Sequence, residues 1–248
     1  MKRRFAGLTD TGILRSVNQD DYYIDPEGRF FIVADGMGGH AGGQEASQIA
    51  TRAIRAHLER HWNSSENSKT LLEKAILAAN EGILADQEEH PERADMGTTV
   101  VAIAFRQGES WYGYVGDSRI YRLRGELLEQ ITEDQTWVAR ALKMGDLTPE
   151  EARVHPWRHV LSQCLGRKDL YKIEVAPLEV YPGDRFLLCS DGLTEEVPDD
   201  SIQTILQSQS QTEEEAELMQ RAAEALIEEA KKNGGSDNIT AIIVAEEE

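Results

Sequence analysis

The sequence predicts an α+β domain in which antiparallel sheets carry helices on their outer faces. Three observations point there. Short apolar, strand-like runs recur along nearly the whole chain. Several are joined by tight turn signals, which favour hairpins over the crossovers of a parallel sheet. The amphipathic helical stretches are few and long and lie between groups of strands, as helices do when they are laid against sheets.

In order, the strand-like runs are "RFFIVADG", "GTTVVAIAFR", "SWYGYVGD", "RIYRLRG", "YKIEVAPLEV", "RFLLCSDG" and "NITAIIVA". Gln107-Gly108, Arg124-Gly125-Glu126 and Pro182-Gly183-Asp184 are the turn signals expected to close hairpins. In "RSVNQDDYYI", Asp20 enters a further strand of mixed character. Helical spacing of Ala46, Ile49, Ala50, Ala53, Ile54 and Leu58 predicts a helix from Gln44 to about His61, and Leu71, Leu72, Ala75, Ile76, Ala79 and Ile83 predict a second from about Ser68. A third should run from a capping box, Thr212 with Glu215, to Asn233-Gly234, and a shorter one should follow Asp200. "WNSSENS" is a surface connection between the first two helices. There is no internal repeat and no linker, so residues 1–248 are expected to form one domain.

Residues 132–165 interrupt the strands. Thr132 with Gln135 and Thr148 with Glu151 both have capping-box spacing, the second with Pro149 at the first helical position. Two short helices carrying Trp137, His155, Trp157, Arg158 and His159 are predicted: an inserted helical flap.

Composition narrows the function classes. With 40% hydrophobic residues and 7 prolines in 248, the chain should fold. No apolar run approaches the ~20 residues that span a bilayer, and "MKRRFAGLTDTG" lacks the apolar region of a secretory signal. A cytoplasmic, monomeric protein without a membrane partner is expected. Cys164 and Cys189 are too few for a disulfide framework and suit reduced core positions. The formal charge of −19, from 26 basic and 45 acidic residues, comes without clustered basic surface, which argues against nucleic acid. An anionic substrate would be repelled unless cations were recruited locally.

Such recruitment is suggested by the acids. Asp35, Asp117, Asp191 and Asp237 each lie beside Gly or Ser at the end of an apolar run, and Asp20 adds a fifth. An acid at one strand end is ordinary turn chemistry. Several at strand ends of one sheet system can converge, and carboxylates brought together repel unless a divalent cation joins them. An all-oxygen set without Cys and with little His suits Mg²⁺ or Mn²⁺ and not zinc. The glycine beside Asp35 then has a use, because Gly36 can turn its own carbonyl toward an ion. Gly36-x-Gly38-x-x-Ala41 also fits a dinucleotide fingerprint, but the ribose-binding acid should lie about twenty residues on at a strand end, where this chain has an amphipathic helix. A cysteine phosphatase needs Cys-x₅-Arg, and Leu170 and Glu195 stand at the arginine positions. A Walker A loop is absent.

The ordered set "RSVNQDD", "VADGMGGHAGG", "ADMGTTVV", "VGDSRIYRL", "TEDQTW", "HPWRHVLSQCLG", "LLCSDGLTEEV" and "GGSDNITAIIV" resembles the metal-dependent protein phosphatases of the type 2C serine/threonine family, in its compact bacterial form. "HPWRHVLSQCLGR" looks most like cyanobacterial members, one of which acts on the phosphorylated PII protein, and so suggests a PII-type substrate. The resemblance implies a four-layer α/β/β/α sandwich of two antiparallel sheets flanked by helices, with metals in a cleft at one end. It implies that Asp35 bridges two ions, that Gly36 gives its carbonyl to one, that Asp191 and Asp237 complete the second ion's ligands, and that Asp20 supports the first. Asp117 with Asp191 would hold a weaker third ion. Arg15 matches the arginine that grips the substrate phosphate, and Asn238 stands beside Asp237 in the closing motif as a substrate-binding residue.

By the same resemblance, a hydroxide bridging the ions attacks phosphorus directly and no phosphoenzyme forms. The departing serine or threonine oxygen needs a proton, which a histidine can give. Where eukaryotic relatives place that histidine directly after Asp-Gly, this chain has Met37, and His40 is the nearest candidate. Two other functions fit the residues less well: a hydrolase of small phosphorylated metabolites, and an inactive module that binds phosphoproteins in the same cleft.

Overall fold

The computed structural model describes residues 2–39, 42–208 and 215–247. Strands β1 (Arg3–Asp10), β2 (Asp20–Ile24) and β3 (Phe30–Met37) lead into helices α1 (Gly42–His61) and α2 (Ser68–Glu89). A 3-10 turn at Pro91–Arg93 precedes β4 (Gly97–Thr98), β5 (Val100–Arg106), β6 (Glu109–Val115), β7 (Arg119–Arg124) and β8 (Leu127–Gln130). The flap helices α3 (Trp137–Met144) and α4 (Pro149–Val154) follow. The chain then runs through β9 (Glu174–Pro177), β10 (Arg185–Cys189), α5 (Asp191–Thr194), α6 (Asp199–Gln207), α7 (Glu215–Asn233) and β11 (Ile239–Glu246).

The strands form two sheets, β1-β11-β10-β7-β8 and β2-β3-β5-β6-β9, with β4 paired to β3, and the pairings are antiparallel. Alternation along β3 explains its unbroken apolar run. Phe30, Ile32 and Ala34 pack under α1 and α2, while Phe31 and Val33 face the other sheet. On the far side, Leu187 and Cys189 of β10 and Ala241, Ile243 and Ala245 of β11 pack beneath α6 and α7, while Phe186, Leu188, Ile242 and Val244 fill the space between the sheets. Three apolar cores thus separate four layers, α/β/β/α.

Two expected local features differ. Pro182-Gly183-Asp184 does turn the chain, with Gly183 at φ +84°, but it joins β9 of one sheet to β10 of the other and closes no hairpin. Turn residues report a reversal, not the strand that will pair. The flap's first helix does not start from Thr132. Thr132 Oγ1 accepts the Ile120 amide (3.1 Å) and Gln135 Oε1 accepts the Gly116 amide (2.9 Å), so both side chains tie the loop to the sheets. Thr136 caps α3 instead, accepting from the Ala139 amide at 3.2 Å. The second box is present: Thr148 Oγ1 accepts from the Glu151 amide, and the Glu151 carboxylate accepts from the Thr148 amide. The expected box at Thr212 lies outside the described residues.

Candidate active site

Strand register brings the acids to one end of the sandwich. Asp20, the first residue of β2, pairs across the sheet with Asp35 near the end of β3. In the other sheet Cys189 pairs with Ala241, so Ser190 and Asp191 leave β10 beside the entry to β11, which Asp237 precedes. Asp117 follows the end of β6, where Gly116 takes φ +106° and lies against Thr99. Thr98 and Thr99 pin Asp35 through its backbone: the Asp35 amide donates to Thr99 Oγ1 (3.1 Å), and its carbonyl accepts from the Thr99 amide (2.9 Å) and Thr98 Oγ1 (2.8 Å).

Asp20 ties the two sheets together. Its Oδ2 accepts from Ser190 Oγ (2.7 Å) and Thr240 Oγ1 (2.6 Å), both on the opposite sheet's strands and turns. Close backbone approach supplies the rest of the closure. A Cβ on Gly192 would lie 2.1 Å from the Asn238 carbonyl oxygen, and one on Gly36 would lie 1.9 Å from that of Gly43. Gly36 is therefore required by the seat of α1 against β3, quite apart from any use of its carbonyl.

The pocket is electrostatically overloaded. Asp35 is held well above the usual carboxylate range by burial first, then by the charges of Asp20, Asp191 and Asp117. Burial, with Asp191 and Asp134, does the same to Asp117. Asp191 is raised by burial, an effect that a hydrogen bond shared with Asp35 opposes. Burial pushes Asp20 up to about 7, against its two hydroxyl donors. Asp20 Oδ1 and Asp191 Oδ1 are buried and have no hydrogen-bond partner. Orphaned carboxylate oxygens among other buried acids are what a divalent cation satisfies, so the donor set fits Mg²⁺ or Mn²⁺.

Asp191 also belongs to a second cluster of possible ligands. Among the described residues, His159, Asp191 and Glu195 are the one group of three whose ligand atoms all lie within 4.8 Å of each other. His159 of the flap contacts Glu195, whose carboxyl burial and the charges of Asp191 and Asp237 raise to about 7. Sequence reasoning missed Glu195; its signal was spacing, one helical turn beyond Asp191.

Arg15 is half exposed, and its Nη2 donates to Asp237 Oδ2 at 2.7 Å. Asn238 is buried and turns away from a substrate role. Its amide nitrogen donates to the carbonyls of Thr11 and Val17 (3.0 Å each), and its oxygen accepts from the Gln19 amide (2.8 Å). With both donors spent, it fastens the loop that carries Arg15 and delivers Asp20. His40 lies outside the described residues.

Beside the acids opens a cavity of about 610 Å³, bounded by Asp117, Asp191 and Glu195 on one side and by Leu142, Arg158 and His159 of the flap on the other. Trp137 stacks on His155 at 4.8 Å, with Trp157 edge-on at 5.0 Å, so this cluster joins α3 to the segment after α4.

This architecture recurs in known proteins. The solved Mycobacterium tuberculosis serine/threonine phosphatase PstP/Ppp superposes with a TM-score of 0.87 at 38% identity, covering 99% of each chain. A PstP catalytic domain solved with two manganese ions superposes with a TM-score of 0.84 at 35% identity, over 98% of this chain and 97% of that one. In sequence, M. tuberculosis PstP is 39% identical over 97% of this chain, which spans only 44% of that relative's length. Listeria monocytogenes serine/threonine phosphatase stp is 34% identical over 95% of this chain and 93% of its own. The family profile described as Protein phosphatase 2C matches residues 15–228. The chain belongs to the protein phosphatase 2C family.

Proposed function

We propose that residues 1–248 act as one metal-dependent serine/threonine phosphoprotein phosphatase domain in the cytoplasm, as a monomer. The observation that carries this is the convergence of Asp20, Asp35, Asp117, Asp191 and Asp237, with two orphaned buried oxygens, beside the half-exposed Arg15. Asp35, Asp191, Asp237 and the Gly36 carbonyl, with Asp20 behind them, would hold two ions, and Asp117 with Asp191 a third. When bound, such ions lower the pKa of a shared water toward neutrality and so supply the nucleophile. The chain's residues do the rest. Arg15, fixed near Asp237, offers a fork of donors matched to phosphate oxygens. Asn238 and the Ser190–Thr240 pair hold the loop and Asp20 in register. His40 is the proposed proton donor to the leaving oxygen. The flap's Arg158 and His159 face the cavity into which a protein substrate would reach. A phosphorylated PII-type protein is the candidate substrate suggested by resemblance.

The test is Mn²⁺-dependent phosphate release from a phosphoserine peptide by the wild type and by Asp35→Asn. Wild-type turnover lost in the variant supports the proposal. Turnover confined to small phosphorylated metabolites would replace it with a metabolite hydrolase, and metal binding without turnover would leave a phosphoprotein sensor. His40→Ala should lower turnover of the peptide more than of an aryl phosphate, whose good leaving group needs little protonation. Equal losses would remove His40 from that role.

A further inference from the structure

The loop between β1 and β2 is firmly held, yet it turns large apolar side chains to solvent. Its backbone is tied at both ends: the Gly12 amide donates to Asp10 Oδ1 (2.8 Å), the Ile13 amide to the Gly235 carbonyl (2.7 Å), and Asn238 clasps Thr11, Val17 and Gln19. On this fixed frame Ile13 is 57%, Leu14 73% and Val17 43% exposed. Single exposed apolar residues are ordinary, but three of the twelve large ones exposed among the described residues lie here within five positions. The loop's hydrogen bonds account for its backbone; Ile13 also packs over Gly235, while Leu14 stays the most exposed of the three.

We propose that Ile13, Leu14 and Val17 form a docking ridge for the residues that flank the phosphorylated side chain of a protein substrate, giving a preference for phosphosites with large apolar neighbours. The inference rests on the phosphatase reading and deepens it. Arg15 stands in the middle of the ridge with its guanidinium on Asp237. Leu14 and Val17 flank Arg15 on the loop, so a phosphate drawn to Arg15 would bring its flanking chain beside them, whereas a small phosphorylated metabolite has no flanking residues to cover them. A chain of net charge −19, with an acid-lined end, repels acidic flanks. Apolar contact attracts without charge, and burying one leucine-sized side chain is enough for about a tenfold effect.

The experiment uses two phosphothreonine peptides, identical except that the phosphorylated residue is flanked by Leu in one and by Ser in the other, with p-nitrophenyl phosphate as the reference substrate. Wild-type protein should favour the Leu-flanked peptide about tenfold in kcat/KM. Leu14→Ser and Val17→Ser should each cut that preference several-fold, and should lower peptide turnover relative to p-nitrophenyl phosphate, while Leu14→Met keeps both. No preference in the wild type, or an undiminished preference in both serine variants, overturns the ridge and leaves the phosphatase reading standing. Failure of the wild type on every substrate overturns that reading and the ridge together.

Discussion

Asp20→Asn should make the metal-free protein more stable. Burial raises the Asp20 carboxyl from 3.8 to about 7, with Asp191 and Asp237 adding to the rise. A carboxyl raised on folding binds its proton more tightly in the native than in the unfolded state, so stability falls as pH climbs from about 4 to about 7 and stays low above that. At about 1.4 kcal/mol per pH unit, holding Asp20 ionised at pH 8 costs about 4 kcal/mol. An asparagine can keep its oxygen on the Ser190 and Thr240 hydroxyls and aim its amide at the neighbouring carboxylates, which removes that cost. The gain corresponds to a melting temperature roughly 10 °C higher for a chain of this size. Thermal melts in chelator at pH 4 and pH 8 provide the assay. The variant should match the wild type at pH 4 and exceed it at pH 8, and Mn²⁺ should stabilise the wild type more than the variant. Equal melts at pH 8, or the same gap at both pH values, would refute the argument that burying an ionised Asp20 is the source of the cost.

Other outcomes follow from the same geometry. Arg15→Lys keeps the charge but loses the fork, and should lower kcat/KM for an aryl phosphate about 10- to 100-fold in steady-state assays. Asn238→Ala strands the amide of Gln19 and the carbonyls of Thr11 and Val17, and should destabilise the protein by about 2–4 kcal/mol in urea titrations. Deleting residues 136–160 should change the ratio of phosphoprotein to aryl phosphate turnover while Mn²⁺ binding persists. Equal proportional losses would place selectivity elsewhere.

The sequence made the centre of the fold legible and its edges obscure. Strands β3, β5, β10 and β11 are covered on both faces, so their apolar runs are continuous and unmistakable. The segments without a clear strand signal, β1, β8 and the mixed β2, are all sheet edges. Throughout β1 no residue is fully buried, and β8 alternates between exposed and half-buried positions. The acids could be named because each stands at one end of a strand-like run, but Asn238 could not be assigned from its neighbour Asp237. Its clasp joins residues more than 200 positions apart, and nothing local records that contact. Glu195 carried a spacing signal, one helical turn beyond Asp191, but only the docked flap brings His159 to it.

The most direct test of the central claim is to strip the protein with chelator, restore Mn²⁺ stepwise, and count bound ions while following phosphate release from a phosphoserine peptide. Activity should be absent in the stripped protein and return as a second ion binds, and Asp35→Asn should hold fewer ions and stay inactive. Undiminished release by stripped protein, or full activity of the variant, would contradict the account.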